Sequence, residues 1–392
     1  MPTALARSHG RSGSLSASPR SQIGSLSLAY GAAGVFWGAF VASLPALQGA
    51  SGLSDAGFGL ALGAMALTAL PVMRLFGRWL DRIEPWAIPG AMLAFALGAI
   101  LLPFLPGVAG LILCLGITGG ASGALDIALN NRTARVERDT GARLFNSLHA
   151  IFPAAMLGSS VLTGWARDLD MTLPFIFAFV TFIMVASAVI ERAAGKHIIP
   201  AAKDALPERA RLSGALLLLA VIAAAGAFQE AAANSWTAIF VEIDQGGSPF
   251  QAGLAAGAFT LGLTVGRLGA HLIELRMRPM RLVQLAALIA MTGFAIVALG
   301  LPITLGIAAF FLVGVGVGPI EPAVFRAVAT RDDGPSRGPA LASVTAIAYL
   351  GYLLSPAVLG LVGEGFGFSA LWSVSLAVAL LVAVLAARVM RG

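Results

Sequence analysis

The sequence predicts an all-α membrane protein: twelve transmembrane helices in two pseudo-symmetric six-helix halves. Three observations predict it. Hydrophobic residues make up 58% of the 392 and charged residues only 11%, whereas a water-facing domain carries roughly 25% charged residues. Apolar runs of about 20 residues, long enough to cross ~30 Å of hydrocarbon, occur twelve times. The basic residues fall almost wholly on alternate loops, the pattern of a polytopic bundle.

The elements follow in order. Residues 1–26 hold seven serines and three arginines and predict a disordered basic tail. The run 27–48 is read as a first span rather than a cleaved signal peptide, because it has span length and its removal would spoil the topology below. Spans two to six lie at 56–76, 87–106, 108–131, 146–166 and 172–192, and close a first half, 27–192. Residues 193–212 are a polar central loop expected in the cytoplasm. Spans seven to twelve lie at 213–238, 250–272, 281–301, 303–325, 340–361 and 368–388, within a second half, 213–392. Gly and Pro interrupt many of these runs. Membrane helices tolerate them because neighbouring helices re-satisfy the freed backbone groups.

Orientation follows from Lys and Arg. With the N-terminus inside, the inner segments hold 24 of the 25 basic residues, and Arg167 alone lies outside. The outer loops carry Asp55, Asp168, Asp170, Glu242, Asp244 and Glu364 instead. A net charge of +6 could suggest nucleic acid. Basic residues spread over seven inner segments make no binding face, so that class is excluded. The single cysteine, Cys114, excludes disulfides and cysteine metal sites. The four histidines are scattered, so no metal ligand set and no cofactor is expected.

The two halves share a repeat. Gly119, Gly123, Asp126 and Asn130 of span four map at an offset of 195 onto Gly314, Gly318, Glu321 and Phe325 of span ten. Arg74 and Asp81 map at an offset of 193 onto Arg267 and Glu274. Such repeats are common in secondary transporters.

Two six-helix halves, a central inner loop and Gly77, Asp81 and Arg82 between spans two and three resemble the major facilitator superfamily. The signature is partial: Ile83, Glu84, Pro85 and Trp86 stand where the family continues with Gly and basic residues. The pattern Asp126, Asn130, Glu137 and His149, with residues 229–236, is similar to a bacterial branch near the fucose permeases. The resemblance implies a rocker-switch transporter with a cavity lined mainly by spans one, four, seven and ten. The glycine-rich antiporter signature of span five is absent from 146–166.

A carboxylate at the centre of a membrane helix costs ~2.5–3.5 kcal/mol. Asp126, Glu230 and Glu321 lie inside spans four, seven and ten. Desolvation favours the neutral form of a carboxyl, so each is a candidate proton carrier. The rival reading is a structural ion pair, open for Asp126 and Glu321 because Arg132 and Arg326 follow within about two turns. Gln229, Asn234 and Trp236 beside Glu230, with Asn130, Trp37 and Tyr349, are expected to line a cavity for a polar solute. Trp236 reads equally well as an interfacial anchor. Glu137 and His149 are candidate relays, and His149 also reads as a satisfied helix-end residue. Gly119 and Gly123 share a face with Asp126 and read as packing residues, as does the run 314–318. Arg74, Gly77, Asp81 and Arg82 are expected to form an inner gate.

The leading expectation is a monomeric proton-coupled symporter of a small polar organic solute in a bacterial cytoplasmic membrane, both termini inside. An exporter of a metabolite or drug is the alternative. A membrane sensor would need an output module, for which no stretch is long enough, and an enzyme would need a nucleophile–base or metal cluster, which is not visible.

Overall fold

A computed structural model describes residues 18–104, 107–142, 144–194, 213–273, 276–330 and 337–391. Among them all regular structure is helical. The first half holds α1 (Pro19–Ser51), α2 (Asp55–Leu80), α3 (Arg82–Leu101), α4 (Gly107–Thr140), α5 (Phe145–Asp168) and α6 (Leu173–Ala194). The second holds α7 (Gly214–Asp244), α8 (Pro249–Ile273), α9 (Pro279–Ala298), α10 (Ile303–Ala329), α11 (Arg337–Phe366) and α12 (Phe368–Arg391). Of the expected tail and central loop, residues 1–17 and 195–212 lie outside the described residues.

Helix α1 starts eight residues before the expected first span. Ser18 caps it, accepting from the Ser21 amide at 3.2 Å, and Pro19 occupies the first helical position. A serine cap followed by a proline with a preset φ is a strong start signal. It overrides the serine-rich composition that suggested a tail.

No helical break separates α2 from α3; the helical backbone runs from Asp55 to Leu101. The chain nevertheless folds back. Gly119 of α4 packs against Met65 of α2, and its neighbour Thr118 packs against Gly98 of α3. Met65 and Gly98 are therefore at one depth, whereas a straight helix would hold them about 50 Å apart. The reversal falls near Asp81 and Arg82.

Among the described residues, ten helices are long and apolar enough to cross a membrane. The remaining two, α5 and α8, have 24 and 25 residues but carry more polar side chains. They lie between the halves and pack on each other. A methyl group at Gly164 would stand 3.0 Å from the Gly253 Cα. Only glycine on both helices permits so close a crossing.

The repeated glycines do the same work in each half. A Cβ at Gly119 or Gly123 would run into α2, and one at Gly314 or Gly318 would run into α8. Their expected role as packing residues accounts for these contacts.

The cores show how the halves meet. One apolar core joins α1–α6 to the outer segments of the second half, 232–241, 252–263, 290–297, 309–317 and 359–379. A separate core belongs to the inner segments of the second half alone, 216–225, 280–287, 320–328, 340–348 and 382–386. The halves thus share one core at the acid-bearing end and keep separate cores toward the basic end.

Candidate functional site

Helix α10 supplies the first feature of the site. It is interrupted between Val317 and Ile320, at Gly318 and Pro319. In an α-helix the Gly318 carbonyl would accept from residue 322, which is Pro322 and has no N–H. Arg267 of α8 fills the gap: its Nε donates to the Gly318 carbonyl at 3.3 Å. The same guanidinium donates through Nη2 to Glu230 Oε2 of α7 at 2.9 Å. Glu321 stands beside this pair and accepts from the Tyr352 hydroxyl at 3.4 Å. Tyr349 lies next to Tyr352, ring centroids 6.0 Å apart.

Arg267, which the basic-residue count groups with the inner segments, sits inside α8 and faces the bundle interior. Glu230 has no basic residue near it in sequence; its partner Arg267 lies 37 residues away. The Arg267 side chain keeps 42% exposure and Glu230 only 15%. The pair therefore sits on the wall of an accessible space rather than in a sealed core.

The first half presents a different group. Asp126 of α4 is exposed and accepts from Asn130 Nδ2 at 3.1 Å. The rest of the Asn130 amide, its Oδ1, is buried without a partner. His149, Tyr30 and, from the other half, Tyr349 lie within electrostatic reach of Asp126. Tyr30 shares a hydrogen bond with Thr133 at 3.3 Å and packs on the His149 ring. The expected rival partner, Arg132, turns away. It pairs with Glu84 of α3 at 3.4 Å, and Arg135 pairs with the same carboxylate at 3.6 Å. Both Arg132 and Glu84 are only 4% exposed. Glu191 of α6 lies within electrostatic reach of Arg132 and Glu84, so one buried polar knot joins three helices of the first half.

The other expected residues are placed as follows. Glu137 caps α5: its Oε1 accepts from the amides of Leu144 at 2.5 Å and Phe145 at 2.8 Å. That contact is structural and does not point to a relay. His149 stacks on Phe145 and shares a contact with the Phe145 carbonyl at 3.0 Å, as a satisfied helix-end histidine does. Trp37 is half-buried against Phe36, Phe40 and Phe95. Gln229 is completely buried with both amide atoms unpartnered, and Asn234 is half-buried. Of the inner-gate residues, Arg82 lies over the Trp79 ring at 4.8 Å, Gly77 adjoins Ile127 and Arg74 is exposed. The Asp81 side chain lies outside the described residues.

Trp236, expected at the cavity wall or the membrane interface, is completely buried. Its ring edge lies 3.1 Å from where a Cβ would stand at Gly59 of α2 and at Gly360 of α11. It plugs the outer junction of the halves. Beside it Arg167 of α5 crosses to Glu242 of α7 in a two-pronged pair, 2.7 and 2.8 Å, and also donates to the Ala42 carbonyl at 2.7 Å. Glu242 rides on a π turn, Phe240–Asp244, that ends α7. Glu364 of α11 caps α2 by accepting from the Ala56 amide at 2.9 Å. The one outer arginine that departed from the topology pattern is therefore a clasp between halves. Its two partners are far apart in sequence, which is why it was not foreseen.

Among the described residues no group of three His, Cys, Asp or Glu could hold a metal ion.

Residues 26–332 match the profile of the Major Facilitator Superfamily. The chain belongs to this superfamily. Among curated proteins, it is 27% identical over 347 residues to the uncharacterized transporter y4wD of Sinorhizobium fredii, covering 84% of this chain and 88% of that one. Among solved structures, the superfamily fold is shared with the nucleoside transporter NupG, at a TM-score of 0.75 and 13% identity over 94% of this chain and 98% of that one. It is also shared with a bacterial homologue of the lysosomal transporter Spinster in an inward-facing, occupied conformation, at 0.72 and 16% over 94% and 96%. This superfamily member is a multi-pass membrane protein of transporter type.

Proposed function

We propose that the protein moves a small polar organic solute across the bacterial cytoplasmic membrane by alternating access, as a proton-coupled symporter with both termini in the cytoplasm. The observation that carries the reading is a pair of facing polar groups at mid-helix. Asp126 and Asn130 stand on the first half, and Glu230, Arg267, Glu321 and Tyr352 on the second. The bundle around them is fused at one end and parted at the other. The similarity of 126–149 and 229–236 to the fucose-permease branch supports a hydroxylated solute.

The second half supplies the coupling. Glu230 pairs with the Arg267 guanidinium, and Glu321 lies within electrostatic reach of it. With both ionised, the group carries surplus negative charge, which is costly to enclose when the halves shut on it. One proton on either acid leaves a neutral set around Arg267. Rocking to the other side then no longer encloses the surplus charge of this set. The proton leaves where access next opens, and the surplus charge returns. The movement must also undo the Arg167–Glu242 clasp and withdraw Trp236 from the outer junction.

The test is Glu321→Gln in liposomes, beside the parent. Proton-driven accumulation should be lost while counterflow persists, because a permanent neutral group rocks but cannot release a proton. Accumulation by the variant at the parental level in response to a pH step would remove Glu321 from the coupling. Glu230→Gln should also lose accumulation. It leaves Arg267 without its acid, but the 42% exposure of that side chain keeps the stability cost well below the ~3–5 kcal/mol of a sealed pair.

A further inference from the structure

We infer that the solute carries a protonated amino group, and that the exposed Asp126 carboxylate receives it; the inference rests on the transporter reading above.

Three observations carry it. Asp126 is exposed to the space between the halves, yet among the described residues no arginine or lysine pairs with it. Its nearest sequence candidate, Arg132, is held with Arg135 on Glu84. The groups that face Asp126 are Asn130, His149, Tyr30 and Tyr349. Of these only His149 can become a cation, and one of its ring nitrogens is engaged with the Phe145 carbonyl.

The second observation is the donor–acceptor balance. Asn130 has spent an N–H on Asp126, and its buried Oδ1 has no donor. To a solute, the free lone pairs of the exposed Asp126 carboxylate present acceptors only. Such a set selects a group rich in N–H donors and leaves a carboxylate or phosphate unsatisfied.

The third is the overall charge. Glu230 and Glu321 already outnumber Arg267 across the space, and Arg267 is tied to Glu230 and to the Gly318 carbonyl. An anionic solute would have to displace a carboxylate from a fixed guanidinium. A cationic one meets an unclaimed carboxylate.

The experiment measures the melting midpoint of purified protein against matched sets of hydroxylated solutes. Each set shares one carbon skeleton and differs at one position: amine, N-acetylated amine, alcohol or carboxylate. Glucosamine, N-acetylglucosamine, glucose and glucuronate form one set, and pentitol and amino-alcohol skeletons supply others. Binding stabilises the folded state, so the amine of at least one skeleton should raise the midpoint by several degrees while its three counterparts do not. Asp126→Asn should weaken that amine roughly 10- to 100-fold, the worth of a hydrogen bond to a charged group. Asp126→Glu should recover part of it, and neither change should lower the ligand-free midpoint. Stabilisation by alcohols or carboxylates that survives Asp126→Asn would overturn the amine inference and leave the transporter reading standing. If no member of any charge class binds or exchanges in counterflow, the transporter reading fails and this inference with it.

Discussion

Glu137 and Glu321 show how differently two carboxylates in one bundle can be used. Glu137 accepts from two amides at the start of α5, where the helix dipole also favours a negative charge. Glu137→Ala should lower stability by about 1–2 kcal/mol, the worth of a helix cap. Chemical denaturation in detergent would measure it, and transport per folded molecule should not change. A coupling defect without a stability loss would restore the relay role. Glu321 makes no such cap; its neighbours are titratable or charged. The cost of placing acids in a membrane was enough to single out Asp126, Glu230 and Glu321 from the sequence. Their partners were not legible. Arg267 reaches Glu230 across two helices, Arg132 reaches back 48 residues to Glu84, and Arg167 reaches 75 residues to Glu242. Pairing of that kind is decided by helix packing, which leaves no local pattern.

At the scale of elements, hydropathy located the twelve helices but not their ends. It missed the early start of α1 and the absence of any helical break between α2 and α3, since both depend on capping and turn geometry rather than apolar content. It also showed α10 as one run, although Pro319 and Pro322 were in plain view. The interruption has a purpose that can be tested. Pro322→Ala would restore an N–H to the Gly318 carbonyl and compete with Arg267 Nε for it. Alanine is also the better helix former. The melting midpoint should therefore rise or hold while proton-driven accumulation falls several-fold, as Arg267 loses an anchor. Parental accumulation with a raised midpoint would mean that the anchor is dispensable.

At the scale of the whole molecule, the basic residues assign the sides and the cores assign the state. Reporter fusions at Gly246 and Ser336 should read periplasm and cytoplasm respectively, and matching compartments would sink the topology. With those readings the fused end faces the periplasm and the arrangement is inward-open, held by the Trp236 plug, the α5–α8 crossing and the Arg167–Glu242 clasp. The central claim is that the two ends open in alternation. Removing buried Cys114 as Cys114→Ala leaves a background without thiols. Spin labels at Thr172 and Ile243 would then report the outer end, and labels at Asp139 and Leu272 the inner end, by pulsed electron–electron resonance in liposomes. The account predicts a short outer and a long inner distance in the parent. With Arg167→Ala the outer distance should lengthen and the inner distance shorten by matching population shifts. Distances unmoved at both ends, or an outer end that opens while the inner end stays open, would contradict it.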